Sequence, residues 1–362
     1  MSRPTAEEQV QFLIRLQRLL DEASFVATYK FALLLALAQV SIERGDDSGA
    51  SLRITTFELA EQFVRLYWRQ AMPYVPVGRR TDGRVLKQNT GRQAAVVHRL
   101  EAARRRPGGS LAALMRDGRS WKRLISSVAR TIEVMPLWRL QLVGREQLRF
   151  LYDRGESAHE VVLKRGVAFC FRRFHPLLQD LVQGAWIRFV RSVPENRDLV
   201  GEAHELGEFL FGSERSSLAA FQPILRDVQA GRCFYCRRAI GREGAVDHFI
   251  PWSRYPLDLG HNLVLADVTC NSRKRDLLPA FEHLERWCER NVEHGAELSQ
   301  RFDEKGLLQD LDASRQVARW AYAQAEDVGA QVWQRKDELV PLDERWRSLP
   351  GLASAIRLSA QP

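Results

Sequence analysis

Apolar residues recur every three or four positions through much of the first 200 residues, and this period predicts helices. Residues 30–40 are apolar almost throughout, which predicts a helix buried on all sides. Thr55, followed three residues later by Glu58, is typical of a capping box. We therefore predict a helix that begins there and ends near Pro73.

The hydrophobic pattern of the rest of the chain predicts shorter elements. Residues 161–171 predict two short strands around Gly166, with Cys170 packed as a core thiol. Residues 281–291 predict a helix, and residues 314–334 predict a last helix before an irregular tail.

The charge of the chain is uneven along its length. The 362 residues, enough for two or three domains, carry 54 Lys and Arg against 45 Asp and Glu, a net charge of +9. Residues 79–130, which we call the basic segment, hold 14 Lys and Arg against 3 acids, and residues 231–275 hold 8 against 4. Such a concentration of positive charge predicts binding to a polyanion such as nucleic acid.

The basic segment contains a predicted helix over residues 91–106. Seven-residue spacing places three arginines on one stripe of this helix: Arg92, Arg99 and Arg106. The stripe is either a solvated face or a ridge that contacts phosphates, and the scarcity of nearby acids favours the ridge. We therefore take the three arginines as candidate substrate-binding residues.

The cysteines indicate the redox compartment. They are Cys170, Cys233, Cys236, Cys270 and Cys288. Because their number is odd and three fall in one short segment, metal binding explains them better than disulfides, as is usual in a reducing compartment.

The chain shows no pattern typical of export or membrane insertion. The N-terminus lacks the basic-then-apolar order of a signal peptide, and the longest apolar stretch is far shorter than the roughly 20 residues of a membrane span. We therefore expect a cytoplasmic protein with no membrane partner.

Three of the cysteines predict a zinc site. Cys233 and Cys236 form a Cys-x-x-Cys pair, typical of the first half of a zinc ribbon. In the second half, Asp267 stands where a cysteine is usual, and Cys270 follows. Three thiolates and one carboxylate can close a tetrahedral structural site for Zn²⁺. Two alternatives stay open: the thiols pack together without metal, or Cys288 replaces Asp267 as fourth ligand.

The same segment carries residues typical of phosphodiester chemistry. Asp247 and His248 lie between the two halves of the ribbon, Asn262 follows, and Asn271 and Lys274 come after the last cysteine of the motif. The order and spacing of these residues resemble the HNH endonuclease family, whose ββα-metal fold hydrolyses phosphodiesters. The resemblance is confined to this segment.

The resemblance implies a role for each polar residue. It implies that His248 is the general base, which takes the proton from an attacking water. It implies that Asp247 and Asn271 hold a catalytic Mg²⁺ or Mn²⁺, which stabilises charge developing on the phosphate. Asn262 is expected to hydrogen-bond across the loop between the two strands and hold His248 in register.

The resemblance also implies contacts to the substrate. Arg273, Lys274 and Arg275 follow on the helix of the motif and are expected to contact phosphates, with Lys274 matching the usual lysine of the family. Arg254, in the loop between the strands, is a further candidate for a phosphate contact. Trp252 and Tyr255 of this loop either stack on bases or pack the loop.

The predicted fold class is mainly α with an inserted ββα-metal (HNH) nuclease domain, α+β overall. We predict a helical accessory region that binds nucleic acid or a partner, a linker helix, the nuclease domain and a C-terminal helical segment. Their predicted boundaries are residues 1–200, 201–230, 231–291 and 292–362.

The predicted function is that of a metal-dependent endonuclease that cleaves DNA. The large accessory region extends the resemblance to restriction or antiphage defence effectors. One alternative is an RNA-cleaving nuclease, because the catalytic residues act on the phosphate and do not choose the sugar. Another is a non-catalytic zinc-ribbon module that binds nucleic acid or a protein. A protein partner or a homo-oligomer contact through the helical region stays open.

Overall fold

The computed structural model describes residues 3–22, 25–76, 83–105, 109–200, 203–212, 218–241 and 244–352. The chain divides into two compact units, Met1–Gly212 and Ser213–Pro362, which we call the first unit and the second unit. Both contain helices and strands, and helices predominate. The α+β class is therefore confirmed.

Most of the first unit is helical. Its helices are α1 (Ala6–Glu22), α2 (Tyr29–Arg44), α3 (Thr56–Gln70), α4 (Ala95–Arg104), α5 (Leu111–Arg116), α6 (Gly118–Val134), α7 (Pro136–Arg139), α8 (Val167–Arg173), α9 (His175–Ser192) and α10 (Ala203–Phe211), with a 3₁₀ turn at Pro194–Asn196. Helix α2 contacts α3, α8 and α9, and α3 contacts α6. The core of the first unit is thus built around α2.

The strands of the first unit are short. They are β1 (Leu52–Thr55), β2 (Pro73–Tyr74), β3 (Arg84–Val85), β4 (Leu142–Val143), β5 (Glu146–Gln147), β6 (Tyr152–Arg154) and β7 (Glu160–Leu163). Three of them form an antiparallel sheet in the order β1, β7, β6, and β2–β3 and β4–β5 are two-stranded. In the larger sheet Ile54 pairs with Val161, and both are fully buried.

Three sequence predictions for the first unit are confirmed. Every residue of α2 from Lys30 to Ile42 is buried, as the unbroken apolar run predicted. The capping box opens α3, because the Thr55 side chain accepts from the Glu58 amide and the Glu58 carboxylate accepts from the Thr55 amide. Cys170 is packed in the core.

The prediction of two strands over residues 161–171 is half wrong. The first strand is β7, but Gly166, with a φ of +80°, turns the chain into helix α8. Residues 167–172 are all buried there. A short run of apolar residues that is buried on all sides has no periodicity to separate a helix from a strand.

The second unit combines helices with two hairpins. Its helices are α11 (Gln222–Val228), α12 (Val268–Lys274), α13 (Phe281–Glu293), α14 (Gly295–Lys305) and α15 (Leu311–Asp327), and its strands are β8 (Ala245–His248), β9 (Leu263–Ala266), β10 (Gln331–Arg335) and β11 (Glu338–Pro341). Further 3₁₀ turns lie at Ala219–Phe221, Gly260–Asn262 and Glu344–Ser348. Strands β8 and β9 pair antiparallel, as do β10 and β11.

The core of the second unit forms around β9 and α13. All four residues of β9 are buried. Trp287 of α13 is fully buried and stacks on Phe249, with ring centroids 5.3 Å apart. The predicted helix over residues 281–291, with this tryptophan turned inward, is therefore confirmed.

Two predictions for the second half of the chain are wrong. Residues 201–230 do not form one linker helix, since α10 belongs to the first unit and α11 to the second. The last predicted helix, residues 314–334, ends at Asp327 in α15, because Gly329 takes a φ of +61° and the chain then enters β10. The C-terminal segment, residues 292–362, is therefore not helical throughout.

The order β8, β9, α12 gives the second unit a ββα arrangement. Helix α12 packs against β8. This arrangement holds the residues of the predicted nuclease motif. Among the described residues, no helix has the length and apolarity needed to cross a membrane.

Candidate active site

Strand β8 carries the Asp-His pair. In the hairpin, Asp247 pairs with Val264 and His248 with Leu263. Neighbours on a strand normally point to opposite faces, but His248 is the last residue of β8, where the strand ends. Both side chains consequently line the same cleft, and both are less than a tenth exposed.

The cleft brings three predicted site residues together. It has a volume of about 630 Å³, and its lining includes Asp247, His248 and Asn271. Asn271 comes from helix α12, so the cleft gathers side chains from the strand and the helix of the ββα arrangement.

Asn262 closes the loop between the two strands. Its side-chain oxygen accepts from the Ile250 amide at 2.8 Å, and its side-chain nitrogen donates to the Ile250 carbonyl at 2.9 Å. Its own carbonyl accepts from the Phe249 amide at 2.7 Å. These three bonds fix the chain directly after His248, so the expected hydrogen bonding of Asn262 across the loop is confirmed.

A carboxylate fixes one of the two ring nitrogens of His248. Its Nε2 lies 2.8 Å from Oδ1 of Asp258, which belongs to the same loop. Because a carboxylate can only accept, this contact places the hydrogen of a neutral imidazole on Nε2 and leaves a lone pair on Nδ1. Trp252 packs beside the ring, with centroids 5.3 Å apart.

Asp247 is held by two buried donors. The Tyr235 hydroxyl donates to Oδ2 at 2.5 Å, and the Lys274 ammonium lies 3.1 Å from the same oxygen. Burial, reinforced by the charge of Asp247, raises the pKa of Tyr235 well above its usual value, so this hydroxyl keeps its proton. The other oxygen, Oδ1, has a longer contact to Lys274 at 3.4 Å.

Lys274 is not accessible to a phosphate of the substrate. Its side chain is fully buried, and its ammonium also donates to the His248 carbonyl at 2.8 Å. Lys274 is three residues beyond Asn271, so helical periodicity turns it toward β8. The predicted substrate contact is therefore corrected: Lys274 fixes Asp247 and the backbone of His248.

Two of the arginines predicted to contact phosphates differ in their exposure. Arg273 is exposed on α12, whereas Arg254 is half-buried and lies outside the cleft lining. Burial lowers the pKa of Arg254. Tyr255 is buried, so it packs the loop, while Trp252 lines the cleft.

Sequence reasoning missed two residues of the cleft region, Tyr235 and Asp258. Arg275 directly follows α12 and lines the cleft with a φ of +50°, an unfavourable conformation for a non-glycine residue. The charge run after Asn271 did signal Arg275. Nothing in the spacing singled out the tyrosine or Asp258, because their contacts depend on the path of the loop.

The three motif cysteines lie together. The sulfur atoms of Cys233, Cys236 and Cys270 lie within 4.8 Å of one another. Tetrahedral zinc with Zn–S bonds of about 2.3 Å requires sulfurs about 3.8 Å apart, so this spacing suits such an ion. Three cysteines in this arrangement can hold a metal such as zinc.

Asp267 is not part of this cluster. Among the described residues, the group that can hold a metal contains the three thiols and no carboxylate. Asp267 instead caps α12, with Oδ1 accepting from the Thr269 amide at 2.9 Å and the Cys270 amide at 3.4 Å. The alternative ligand Cys288 is also outside the group, and burial raises its pKa to about 12.

Two of the three thiols, those of Cys233 and Cys270, have raised pKa values. Burial is the main cause that raises the pKa of both Cys233 and Cys270, and the charge of Cys233 raises that of Cys270 further. Thiols with raised pKa values stay protonated near neutral pH, whereas a bound divalent cation favours the thiolate. The cluster can therefore hold a metal ion, whose charge would stabilise the thiolates.

The predicted arginine stripe of the basic segment is not formed as expected. Helix α4 begins only at Ala95, so Arg92 precedes it. Arg99 is half-buried and donates to the Thr131 hydroxyl at 3.1 Å. Arg106 lies outside the described residues.

Helix α6 carries an exposed basic face instead. Its members, which we call the α6 basic face, are Arg119, Lys122, Arg123 and Arg130. Arg119, Arg123 and Arg130 are spaced by four and seven residues, which aligns them along the helix. Within the described part of the chain, none of the four forms a salt bridge.

Comparison with known proteins gives one match. A family model described as "Domain of unknown function (DUF8808)" matches residues 9–207, just over half of the chain. No curated protein and no solved structure matches the chain. The matched residues belong to the first unit, so the match does not reach the cleft or the cysteine cluster.

Proposed function

We propose that this chain, which belongs to the DUF8808 family, is a metal-dependent HNH-type endonuclease whose second unit hydrolyses phosphodiesters, with DNA as the favoured substrate. The observation that carries the proposal is the shared cleft of Asp247, His248 and Asn271. A general base and two hard oxygen donors in one cleft are what hydrolysis of a phosphodiester requires.

In the proposed reaction His248 acts as the base. Its Nδ1 takes the proton of a water as the water oxygen bonds to phosphorus. The bond from phosphorus to the leaving oxygen breaks, and that oxygen takes a proton from a second water. Asp258 holds Nε2 at 2.8 Å and stabilises the imidazolium that forms. Asp258 is thus a positioning residue, which acts through the histidine.

Asp247 and Asn271 would hold the catalytic divalent ion. Carboxylate and amide oxygens suit Mg²⁺ or Mn²⁺, and Oδ1 of Asp247, with a single long contact, has lone pairs to offer. A bound ion would supply stabilisation of the charge that develops on the phosphate and the leaving oxygen. Tyr235 and Lys274 would keep the carboxylate aimed while it binds.

Phosphate contacts would come from the end of α12. Arg275 lines the cleft, and Arg273 is exposed in the last turn of the helix. Guanidinium groups pair with phosphate oxygens through two parallel hydrogen bonds. Of the three basic residues at the end of α12 that were expected to contact phosphates, we therefore keep Arg273 and Arg275 and leave out the buried Lys274.

The cysteine cluster would hold zinc in a structural role. Cys233 lies next to the β8–β9 hairpin, since its sulfur accepts from the Asp267 amide at 3.2 Å and the Phe234 amide donates to the Leu265 carbonyl at 2.9 Å. An ion that ties Cys233 and Cys236 to Cys270 of α12 would fix the helix that carries Asn271.

The test is cleavage of nucleic acid by the purified chain. Supercoiled plasmid and a structured RNA are each incubated with the protein and Mg²⁺ or Mn²⁺. We expect nicked or linear DNA, abolished by chelation and reduced about 100-fold or more in His248→Ala. Asp258→Asn should lose about tenfold or more, because the imidazole is no longer fixed by a carboxylate.

The matched control is His294→Ala, which removes an exposed histidine of the second unit. It should cleave as the wild type does. Full activity in His248→Ala, or no cleavage of either nucleic acid with either metal, would refute the proposal. Cleavage of RNA alone would change the substrate and keep the hydrolase. A role in restriction or antiphage defence stays a prediction, tested by phage plaque counts on cells that express wild type or His248→Ala.

A further inference from the structure

The first unit contains a second large cleft, unrelated to the nuclease motif. It has a volume of about 740 Å³ and lies between the start of α1, the turn at Gly166 and the segment around Phe150. Its size is in the range of small-molecule sites in proteins. The proposed nuclease chemistry uses none of its residues.

The rim of this cleft is strongly basic. Five cationic side chains line it: Arg3, Arg15, Arg149, Lys164 and Arg165. The acids in the lining are Glu7 and Glu8, and the carboxylate of Glu8 already accepts from the Thr5 amide at 2.7 Å. The cleft therefore carries an excess of three positive charges, which attracts an anion.

Two of the arginines are not neutralised by an acid. Among the described residues, neither Arg15 nor Arg149 forms a salt bridge, and both are exposed at the cleft. Arg149 uses its Nε to donate to the Gln147 side chain at 2.6 Å. Lys164, by contrast, pairs with Asp153 at 3.0 Å. The two guanidinium groups thus have donors to offer to a bound anion.

The floor of the cleft is apolar. Phe12, Phe150, Val167 and Cys170 line it, and each is less than a tenth exposed. An inorganic anion would leave this floor and most of the volume unused. A basic rim over an apolar floor fits a ligand that has an anionic group at one end and an apolar ring at the other.

We propose that this cleft binds a phosphorylated organic molecule of the nucleotide class, with its phosphate on Arg15 and Arg149 and its ring toward the apolar floor. The same chemistry is present in a free nucleotide and in the 5′-phosphorylated end of a nucleic acid strand. The inference does not depend on the proposed nuclease function, because binding is measured without cleavage.

The experiment is calorimetric titration of the full chain in EDTA with AMP, ATP, ribose 5-phosphate, inorganic phosphate and a 5′-phosphorylated dinucleotide. We expect saturable binding of a nucleotide or of the dinucleotide, and the stronger of the two identifies the source of the phosphate. Ribose 5-phosphate, which lacks the base, should bind more weakly. In Arg15→Gln/Arg149→Gln the affinity should fall about tenfold or more.

The control is Arg145→Gln, an exposed arginine of the first unit that does not line the cleft. It should bind as the wild type does, and thermal melting should show that both variants are folded. Inorganic phosphate binding as tightly as AMP would overturn the assignment to nucleotides. Unchanged affinity in the double variant, or no saturable binding of any probe, would overturn the site itself.

Discussion

The ion pair between Lys274 and Asp247 is buried, and this sets the energetic consequence of breaking it. Lys274 has no exposed surface and donates to both Asp247 and the His248 carbonyl. Lys274→Met should lower the free energy of unfolding by about 3 to 5 kcal/mol, because it leaves a buried carboxylate without its counter-charge. Denaturant unfolding followed by circular dichroism measures the loss.

The neighbouring Arg273→Met provides the matched control, since Arg273 is exposed on the same helix. Its effect should stay within about 0.5 kcal/mol. Adding Asp247→Asn to Lys274→Met should restore part of the stability, because no uncompensated charge remains. A loss below about 1 kcal/mol in Lys274→Met would contradict the buried pair.

His261 links stability to pH in the second unit. It is fully buried, its Nε2 lies 3.0 Å from the Gly295 carbonyl, and burial lowers its pKa from 6.5 to about 4. The unfolded chain therefore binds this proton at a higher pH than the folded chain. The contribution is fully present above pH 6.5 and is lost as the pH falls through about 4, on the order of 3 kcal/mol in total.

Urea unfolding between pH 7.5 and pH 4.5 tests this linkage. In His261→Gln the amide can still donate to the Gly295 carbonyl but does not titrate, so its stability should fall less with acid than that of the wild type. His294→Gln, at an exposed position, should keep the wild-type slope. Equal slopes for wild type and His261→Gln would show that His261 is not the titrating group.

At the scale of elements, Asp267 and the cysteines have separate roles. Asp267 caps α12, whereas Cys233, Cys236 and Cys270 form the cluster. Asp267→Ala should lose about 1 kcal/mol of stability and keep the zinc that we propose for the cluster, since it removes a cap and no ligand. Cys270→Ser should lose the zinc. Atomic absorption after removal of loosely bound metal gives the zinc content per chain.

Two further variants separate the cap from the ligand. Asp267→Asn can still cap the helix, and Cys288→Ser removes a buried thiol outside the cluster. Both should hold as much zinc as the wild type. Loss of zinc from Asp267→Asn would show that the Asp267 carboxylate is a zinc ligand after all.

How far the sequence predicts this protein depends on whether a pattern is local. The α3 capping box and the all-apolar α2 follow from neighbouring residues, and both are as predicted. The motif is local too, so its resemblance to a known family named Asp247, His248 and Asn271 as candidates, and all three line one cleft. Asp258 was not named, because it lies ten residues from His248 along a loop that has no period. Lys274 is buried because it lies on the face of α12 that packs against β8. Its basic neighbours in the sequence are exposed, so the run of charges predicted an exposed lysine.

At the scale of the whole molecule, the positive charge belongs to the first unit. Residues 1–212 hold 33 Lys and Arg against 23 Asp and Glu, a net charge of +10, while residues 213–362 hold 21 against 22, a net charge of −1. The unit with the proposed catalytic cleft therefore has little overall attraction for a polyanion. Affinity for nucleic acid should come mainly from the first unit.

The α6 basic face is the part of the first unit that we expect to contact the backbone of nucleic acid. The triple variant Arg119→Gln/Arg123→Gln/Arg130→Gln should bind duplex DNA more weakly, because each lost phosphate contact releases one fewer counterion. The slope of log affinity against log salt should become less steep by about 0.9 for each contact removed, or about 3 in total. Fluorescence anisotropy across a series of salt concentrations, in EDTA, measures this slope.

The control is a second triple variant that loses the same three positive charges from other parts of the first unit. Arg145, Arg188 and Arg197 are exposed in the first unit and lie outside α6. Changing these three to Gln should leave the slope near that of the wild type, since they do not belong to the face. If both triple variants reduced the slope equally, the overall charge of the first unit would drive binding, and α6 would have no special part in it.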